Sequence, residues 1–466
     1  MKSSIFYILL LLIAILNRPD QTGFVSIDIL ISYLVLYLMG LGIHFYNRRK
    51  LKNWSRPEFF FLLGFTIVHI QWPIIVALGG NLEILTFYNV DFYHMNYGTW
   101  LALVGGLAWM YGFNFKYGKR KKLTQINERV KFNYTQLLVF CILSFFLFLI
   151  FVDTSFYTGG VYTGEGGSHH GTGVSAYFQM LFTITILILS VFVITESRTR
   201  KYKNPIFWLL RLNKKYLVLV GLYVLIFLSI GDRGGVLQLL IAMSILFGYF
   251  VRAISLKKII LLFFCGGILF TIIGLGRSTN NMFESGFDKL EKSEAPYLVT
   301  MQLSNSARVL YSAVENVPDK HGYFHGKLFI GNLLGVIPFA QSIYLKLSGI
   351  PEYELSSASY LTYIKYGKNP HTGEGTTIIA DIYMNFGSSG VILLMFFLGK
   401  IFQVIQYELQ LGSNINLIII AVIVGSAAFY MGRANLLYPL KSIVWSLPIV
   451  FFFVKKLKIK SGGFIS

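Results

Sequence analysis

Long apolar runs recur along the whole chain and are separated by shorter polar segments. An α-helix needs about 20 apolar residues to cross the hydrocarbon core of a membrane. The runs therefore predict twelve membrane-spanning helices. Their approximate bounds are 3–17, 24–46, 58–80, 98–115, 134–152, 174–195, 215–231, 235–251, 257–275, 376–399, 415–432 and 439–454. The first run is short, and it is kept as a span because no small-x-small cleavage site follows it.

The composition agrees with this pattern. Of the 466 residues, 55% are hydrophobic and only 13% are charged, whereas soluble proteins carry roughly 25% charged residues. Too little polar material is present to cover soluble domains of this total length. The two cysteines, Cys141 and Cys265, both lie inside apolar runs. The composition excludes a soluble enzyme, a disordered chain and a disulfide scaffold, and it predicts an all-α, polytopic integral membrane protein.

Positive charges occur in alternate loops. Segments 47–57, 116–132, 196–215, 252–258 and 455–460 carry five, seven, seven, three and four Lys or Arg residues. The intervening loops 81–97 and 153–173 carry none. Because Lys and Arg concentrate in cytoplasmic loops, the basic segments and both chain termini are predicted to be cytoplasmic. This placement accounts for most of the net charge of +20, so no nucleic-acid partner is predicted.

Residues 276–375, between the ninth and tenth predicted spans, interrupt the alternation and form a long segment on the predicted outer face. They hold nine of the 21 acidic residues and three of the eight histidines. Residues 298–316 are predicted to be one helix, and the Gly- and Pro-broken residues 328–347 a re-entrant or interfacial helix. The predicted organisation is nine spans in residues 1–275, the exoplasmic segment 276–375, and three spans with a basic tail in residues 376–466.

Three Gly-Arg motifs lie at helix ends on the predicted outer face, where arginine is normally scarce. Glycine can end a helix in a left-handed turn that leaves backbone N–H groups accessible. A helix N-terminus and a guanidinium group together suit a phosphate. The alternative for each motif is a helix cap whose arginine reaches the membrane surface. The motifs are Gly231-Asp232-Arg233-Gly234-Gly235, Gly274-Leu275-Gly276-Arg277 and Gly432-Arg433-Ala434-Asn435.

Arg308 is a fourth, weaker candidate for an anion ligand. It lies in the middle of the predicted helix 298–316, one turn after Ser304 and Asn305. The alternative is that it lies on a solvated helix face.

A polar, glycine-rich turn, residues 369–377, runs directly into the tenth predicted span. Thr376 or Thr377 can cap the N-terminus of that span. His371 and Glu374 lie just before it, at the predicted membrane edge. Both are candidates for a general base, and a loop hydrogen bond is the alternative for His371.

Asp381 and Asn385 are four residues apart and therefore share one face of the tenth span. A buried aspartate in a span costs ~2.5–3.5 kcal/mol. We therefore expect an outer-face arginine as the partner of Asp381. Asp381 is also the third candidate for the general base, and a structural ion pair is the alternative role for it.

The sequence predicts no cofactor and no metal site. It contains no Walker loop, no D-x-D motif and no Rossmann glycine pattern after a strand. His169 and His170 lie in a glycine-rich loop, and the glycines beside His321 and His325 argue against a helical metal pair.

Two motifs in this many-span chain resemble those of the Wzy-type O-antigen and capsule polysaccharide polymerases. They are Gly231-Asp232-Arg233-Gly234 and the P-H-x-x-E-G-T-x-x-x-x-x-x-Y-x-N-F-G-x-x-G stretch from Pro370 to Gly390. The resemblance implies a metal-independent membrane glycosyltransferase with a GT-C-like fold in the bacterial cytoplasmic membrane. Such enzymes join undecaprenyl-diphosphate-linked oligosaccharide repeat units, as donor and acceptor, on the outer face. A chain-length regulator is a further candidate partner that the sequence does not identify.

The resemblance also implies roles for the candidate residues. The diphosphate ligands are Arg233, Arg277, Arg308, Arg433, Gly234 and Gly235, and the candidate catalytic residues are His371, Glu374 and Asp381. The alternatives are a ligase of the same architecture and a flippase or transporter for a lipid-linked glycan. A transporter usually places paired charges near the bilayer midplane and often has an internal repeat. The clustering of charges at one edge favours an enzyme.

Overall fold

The structure is a computed structural model. It describes residues 2–21, 23–80, 93–115, 129–158, 173–196, 205–276, 281–292, 297–368, 370, 372–412 and 414–457. Two of the candidate site residues, Arg277 and His371, lie outside the described residues, as do His169 and His170.

The described residues form helices connected by turns, together with two short strands. The first part of the chain contains α1 (Lys2–Leu16), α2 (Ile27–Tyr46), α3 (Pro57–His69), α4 (Gln71–Ala77), α5 (Met95–Asn114), β1 (Arg129–Phe132), α6 (Tyr134–Phe151), α7 (Ser155–Thr158), α8 (Val174–Glu196), α9 (Pro205–Leu210), α10 (Lys214–Ser229), α11 (Gly234–Phe250) and α12 (Leu256–Gly276). The long segment contains α13 (Met282–Glu291), α14 (Leu298–Ser304), α15 (Ala307–Asn316), α16 (Ile330–Leu334), α17 (Ala340–Ser348) and α18 (Ser357–Tyr366), with 3₁₀ turns at Lys327–Phe329 and Glu352–Leu355. The last part contains α19 (Ile378–Leu411), α20 (Ile415–Ala427), a 3₁₀ turn at Met431–Arg433, α21 (Leu440–Phe453) and β2 (Val454–Leu457).

Each of the twelve predicted spans coincides with a helix, although the third is divided into α3 and α4 by a 50° bend. In the described part of the chain, five helices are long and apolar enough to cross a membrane, and the bent pair raises the number to six. The five are α2, α6, α8, α12 and α19. Four shorter apolar helices, in α1, α11, α20 and α21, accompany them. This architecture is that of a helical, multi-pass membrane protein.

Helix α5 lies in the core of the bundle, where residues 95–110 are all buried. It packs most extensively against α19, and α1 and α2 also pack against it. A Cβ at Gly112 or Gly399 would collide with a carbonyl group of the other helix. Small residues let membrane helices approach this closely. Because α5 contacts other helices and not lipid, it can carry more polar residues than the helices at the periphery.

The two strands are the small departure from the all-α prediction. β1 and β2 pair in antiparallel fashion, with Arg129 opposite Leu457 and Phe132 opposite Val454. The pairing ties the segment before α6 to the segment after α21, and both segments belong to the predicted cytoplasmic side.

The long segment is more finely divided than predicted. Residues 298–316 form two helices, α14 and α15, instead of one. Residues 328–347, predicted to be a re-entrant or interfacial helix, are divided into a 3₁₀ turn, α16 and α17. Phe339, directly before α17, has a left-handed conformation with φ of 63°. Several large apolar side chains remain exposed there, among them Leu333, Ile337 and Leu347.

Candidate functional site

Arg233 lies directly before α11, in the tight turn that links α10 to α11. Gly231 in this turn has the predicted left-handed conformation, with φ of 86°. Nη2 of Arg233 donates a hydrogen bond of 2.8 Å to Oε1 of Gln302, and Nη1 donates to the carbonyl oxygen of Phe270. The guanidinium group is therefore fixed at both ends of its fork, by α14 and by α12.

The glycines around Arg233 have separate roles. The N–H of Gly234 donates a 3.0 Å hydrogen bond to Asp232, so it is engaged within the turn. A side chain at Gly235 would collide with α10, and a side chain at Gly274 would collide with the guanidinium group of Arg233. The first two Gly-Arg motifs therefore meet in space, since a glycine of the second motif makes room for the arginine of the first.

Arg433 reaches the same glutamine. It lies in the 3₁₀ turn after α20, is exposed, and its Nη1 is 3.5 Å from the carbonyl oxygen of Gln302. The Tyr430 phenol lies within electrostatic range of both Arg233 and Arg433. We call Arg233, Arg433 and Gln302 the Gln302 cluster. Two of the four predicted arginines thus lie together, and they are joined by a residue that the sequence motifs did not single out.

The predicted left-handed glycine is wrong for the second and third motifs. Gly274 and Gly276 lie inside α12, and neither has a positive φ. Helix α20 ends at Ala427, and Gly432 lies in the following 3₁₀ turn without a positive φ. A side chain at Gly432 would press against the backbone of Phe65 and Gly64, at 3.2–3.3 Å. Close packing of helices, not a left-handed turn, therefore explains this glycine.

Glu374 and Arg308, predicted to have different roles, form an ion pair. Oε2 of Glu374 is 2.8 Å from Nη2 of Arg308. Oε1 of Glu374 is 2.7 Å from Nζ of Lys365 and accepts a 2.5 Å hydrogen bond from the hydroxyl of Tyr366. The backbone N–H of Glu374 donates to Thr362. This carboxylate therefore joins α15, α18 and the turn before α19.

These contacts also set the ionisation of Glu374. Burial by itself raises the pKa of Glu374, but hydrogen bonds from Lys365 and Tyr366 and the charge of Arg308 outweigh it and hold the pKa below its ordinary value of 4.5. Glu374 is therefore an anion at neutral pH that orients cations around it. A carboxylate with a lowered pKa is a weaker proton acceptor than an ordinary one.

Glu374→Gln is expected to lower the free energy of unfolding at neutral pH by about 1 kcal/mol, because the partly exposed Arg308 and Lys365 lose their anionic partner. The carboxylate has a lower pKa in the folded state, so its stabilisation is present above about pH 4.5 and is lost as the pH falls through the folded-state pKa. Thermal unfolding of both purified proteins between pH 3 and pH 7 measures the difference. A gap between them that widens towards acid would contradict the assignment.

The expected arginine partner of Asp381 is wrong. Asp381 is fully buried, and its carboxylate accepts a 2.5 Å hydrogen bond from the Ser357 hydroxyl and a 2.9 Å hydrogen bond from the Leu436 N–H. Asn385 lies on the same helical face, as predicted, and donates to the Asp381 carbonyl oxygen. The predicted cap is confirmed, since Thr377 accepts from the Ala380 N–H. Asp381 thus anchors the start of α18 and the loop that follows Arg433.

Asp381→Ala is expected to lower the free energy of unfolding by about 1–3 kcal/mol, because the Ser357 hydroxyl and the Leu436 N–H lose their acceptor. Asp381→Asn keeps one carbonyl oxygen and should lose less. Thermal unfolding in detergent compares the two variants. Equal stability of Asp381→Ala and the wild type would show that the two hydrogen bonds do not anchor the loop.

Gln302 and Arg308 belong to one stretch of the long segment. They are six residues apart, which corresponds to roughly 9 Å of helix rise. The N–H groups of Asn305 and Arg308 continue helical hydrogen bonding across the break between α14 and α15. We call Glu374 with Arg308, Lys365 and Tyr366 the Glu374 network. The Gln302 cluster and the Glu374 network are therefore connected through residues 302–308.

Within the described ranges, no group of three or more His, Cys, Asp or Glu side chains has an arrangement that can hold a metal ion. His321 and His325 lie in a turn, as the glycines around them predict, with Gly322 and Gly326 in left-handed conformations.

The family model for O-antigen polysaccharide polymerase Wzy matches residues 1–460. No curated protein and no solved structure matches the chain. The family match covers all three Gly-Arg motifs, the long segment and the turn before α19. It agrees with the helical membrane architecture and with the resemblance carried by the motifs. The chain therefore belongs to the O-antigen polysaccharide polymerase Wzy family.

Proposed function

We propose that this protein polymerises undecaprenyl-diphosphate-linked oligosaccharide repeat units into O-antigen or capsular polysaccharide on the outer face of the bacterial cytoplasmic membrane. The family match supports a glycosyltransferase-like polymerase that acts on lipid-linked repeat units. The observation that carries the finer proposal is the convergence of Arg233 and Arg433 on Gln302. Two guanidinium groups held close together suit a diphosphate better than any neutral ligand.

The proposed topology has twelve spans, cytoplasmic termini and a GT-C-like arrangement. Residues 1–275 supply nine spans, residues 276–375 the exoplasmic segment, and residues 376–466 the last three spans. The alternation of basic loops supports this orientation. In it, the Gln302 cluster and the Glu374 network both lie at the outer membrane edge.

The reaction is a glycosyl transfer. The bond between the anomeric carbon of the growing glycan and the diphosphate oxygen breaks, and the lipid diphosphate leaves with the electron pair. A hydroxyl of the acceptor sugar forms the new glycosidic bond and gives its proton to a general base. Arg233 and Arg433, with Arg277 and Arg308, stabilise the charge that develops on the leaving diphosphate.

His371 is the base that we propose among the three candidates. Glu374 is held by two cations and a tyrosine hydroxyl, and Asp381 is fully buried with both oxygens engaged. These contacts favour positioning roles, Glu374 for Arg308 and Asp381 for the loop after Arg433. Imidazole accepts a proton readily near neutral pH.

Reconstitution tests this function. The full-length protein is placed in liposomes with undecaprenyl-diphosphate-linked repeat units from a strain that lacks the polymerase. We expect a ladder of multi-repeat glycans, release of undecaprenyl diphosphate with each bond formed, and equal activity in the presence of a chelator. A chain-length regulator is a further proposed partner, and adding one should shift the ladder without abolishing it.

The same assay distinguishes the other functions. Transfer of a finished glycan to a different acceptor, without a ladder, would identify a ligase. Movement of the lipid-linked unit across the bilayer without any new glycosidic bond would identify a flippase. A ladder that requires a divalent cation would overturn the metal-independent mechanism only.

A further inference from the structure

A groove of about 410 Å³ lies beside the outer half of α19, away from the residues assigned above. Its lining includes Tyr323 and His325 from the long segment and Phe386, Ser389 and Leu393 from α19. Phe386 and Leu393 are seven residues apart, so the groove follows α19 for roughly 10 Å. Its volume lies within the usual range for small-molecule sites.

A break in α19 shapes the groove. Gly387 has φ of 67° and ψ of −165°, a conformation that favours glycine, and it kinks the helix. A side chain at Gly387 would press against the ring of Tyr323 at 3.1 Å. The absence of a side chain at Gly387 therefore lets Tyr323 of the long segment lie directly against α19.

The polar rim of the groove is held firmly. The carbonyl groups of Met384 and Asn385 accept hydrogen bonds from the N–H groups of Phe324, at 3.0 Å, and His325, at 2.9 Å. The side-chain oxygen of Asn385 also accepts from the N–H of Gly326 at 3.0 Å. His325 is held in a left-handed conformation, with φ of 48°. Strained non-glycine residues of this kind cluster at functional sites.

The other side of the groove faces the membrane. Phe386 and Leu393 are 39% and 55% exposed, although they belong to a membrane helix. The exposed face continues down α19 through Phe397, Ile401 and Val404, each 52% exposed. These side chains recur every three to four residues and form one lipid-facing stripe. The groove is therefore the outer end of a surface that lipid chains cover.

The groove is also connected to the proposed site. Its rim is bonded to Asn385, one helical turn after Asp381. Asp381 in turn binds Leu436, three residues after Arg433. These contacts connect the rim of the groove to the loop that carries Arg433.

We propose that this groove binds the prenyl chain of a lipid-linked oligosaccharide substrate, with the diphosphate end at the His325 rim. The proposal rests on the proposed function, because polymerisation brings two lipid-linked molecules to one enzyme. A groove that is apolar along its length, polar at one end and open sideways to the membrane admits such a molecule without removing its chain from lipid. The Gln302 cluster lies outside the groove lining, so the groove supplies a second point of attachment.

The test is photo-crosslinking of the full-length protein in nanodiscs. The probe is undecaprenyl diphosphate with a diazirine on its prenyl chain, and adducts are mapped by peptide mass spectrometry. In the unmodified protein we expect adducts concentrated in residues 386–394 and displaced by unlabelled undecaprenyl diphosphate, but not by phosphatidylglycerol. Ser389→Trp, which fills the groove, should lower these adducts about fivefold, equivalent to roughly 1 kcal/mol.

Ile401→Trp is the matched control, since it adds the same bulk to the same lipid-facing stripe outside the groove, and it should leave labelling unchanged. Adducts spread evenly along the stripe, or displaced equally by phosphatidylglycerol, would identify bulk lipid as the occupant and overturn the proposal. The map of adducts on the unmodified protein requires no substitution, so it still tests the proposal if the Ser389→Trp protein fails to fold.

The photo-crosslinking experiment and the reconstitution assay can succeed or fail independently. A protein that builds glycan ladders without specific labelling of residues 386–394 would refute the groove and keep the polymerase. A protein that is labelled there but builds no ladder would keep the groove as a lipid-diphosphate site and refute the polymerase.

Discussion

Cells that carry Arg233→Ala are expected to hold single repeat units in place of long surface polysaccharide, with the variant inserted in the membrane at its normal level. The guanidinium group donates to Gln302 and to the Phe270 carbonyl, so it is already oriented before substrate arrives. Preorganised donors of this kind are worth about 100- to 1,000-fold in rate, or about 2.7–4 kcal/mol. The size profile of the polysaccharide on a gel, beside an immunoblot of the membrane fraction, measures the effect.

Arg233→Lys is the informative companion. A lysine ammonium group cannot use the two ends of a fork to bond Gln302 and Phe270 together. We therefore expect shortened chains and a partial loss of activity, although the charge is kept. Arg49→Ala is the control, because Arg49 lies over the ring of Tyr46 in a predicted cytoplasmic loop, and it should leave chain length unchanged.

Long chains of wild-type length from Arg233→Ala would remove Arg233 from the mechanism. Long chains from a strain that lacks the whole gene would contradict the polymerase function itself and would favour the ligase or the flippase.

The helices could be predicted because their cause is local. A run of apolar residues of sufficient length satisfies its own backbone hydrogen bonds and forms a helix in lipid wherever it occurs. The turn before α11 was also predictable, since Gly231 and Gly234 mark it in the sequence. The burial of α5 could not be predicted, because it depends on the helices that surround residues 95–110.

The pairing of side chains in the site depends on tertiary structure. Arg233 and Gln302 are 69 residues apart in the sequence, and Arg433 and Gln302 are 131 apart. No local pattern marks Gln302, which carries no charge. The partner of Asp381 was predicted wrongly for the same reason. A buried carboxylate needs hydrogen-bond donors, but a backbone N–H and a hydroxyl can supply them as well as an arginine does.

The Glu374 network shows what the motif alone left open. His371 and Glu374 are both polar residues at the start of the same span, and either can serve as a base by residue type. The contacts of Glu374 separate them. Hydrogen bonds from Lys365 and Tyr366 and the charge of Arg308 outweigh burial and lower the pKa of Glu374, and they give its carboxylate another role.

His371→Ala is expected to slow glycosyl transfer by about 10²- to 10⁴-fold, the usual contribution of a general base. Binding of undecaprenyl diphosphate should be unchanged, because the proposed diphosphate ligands remain. Arg233→Ala, in contrast, should weaken both binding and transfer. Single-turnover rates in the reconstituted liposomes, measured together with binding of the labelled lipid, separate the two effects.

The pH dependence identifies which residue acts. An imidazole base loses activity when it is protonated, so the wild-type rate should fall on the acid side of neutrality. His371→Ala should remove this fall along with most of the rate. Glu374→Gln should keep it, since a carboxylate with a lowered pKa remains ionised across that range. If Glu374→Gln flattens the profile and His371→Ala does not, the base is Glu374, and Arg308 is then its partner in catalysis as well as in structure.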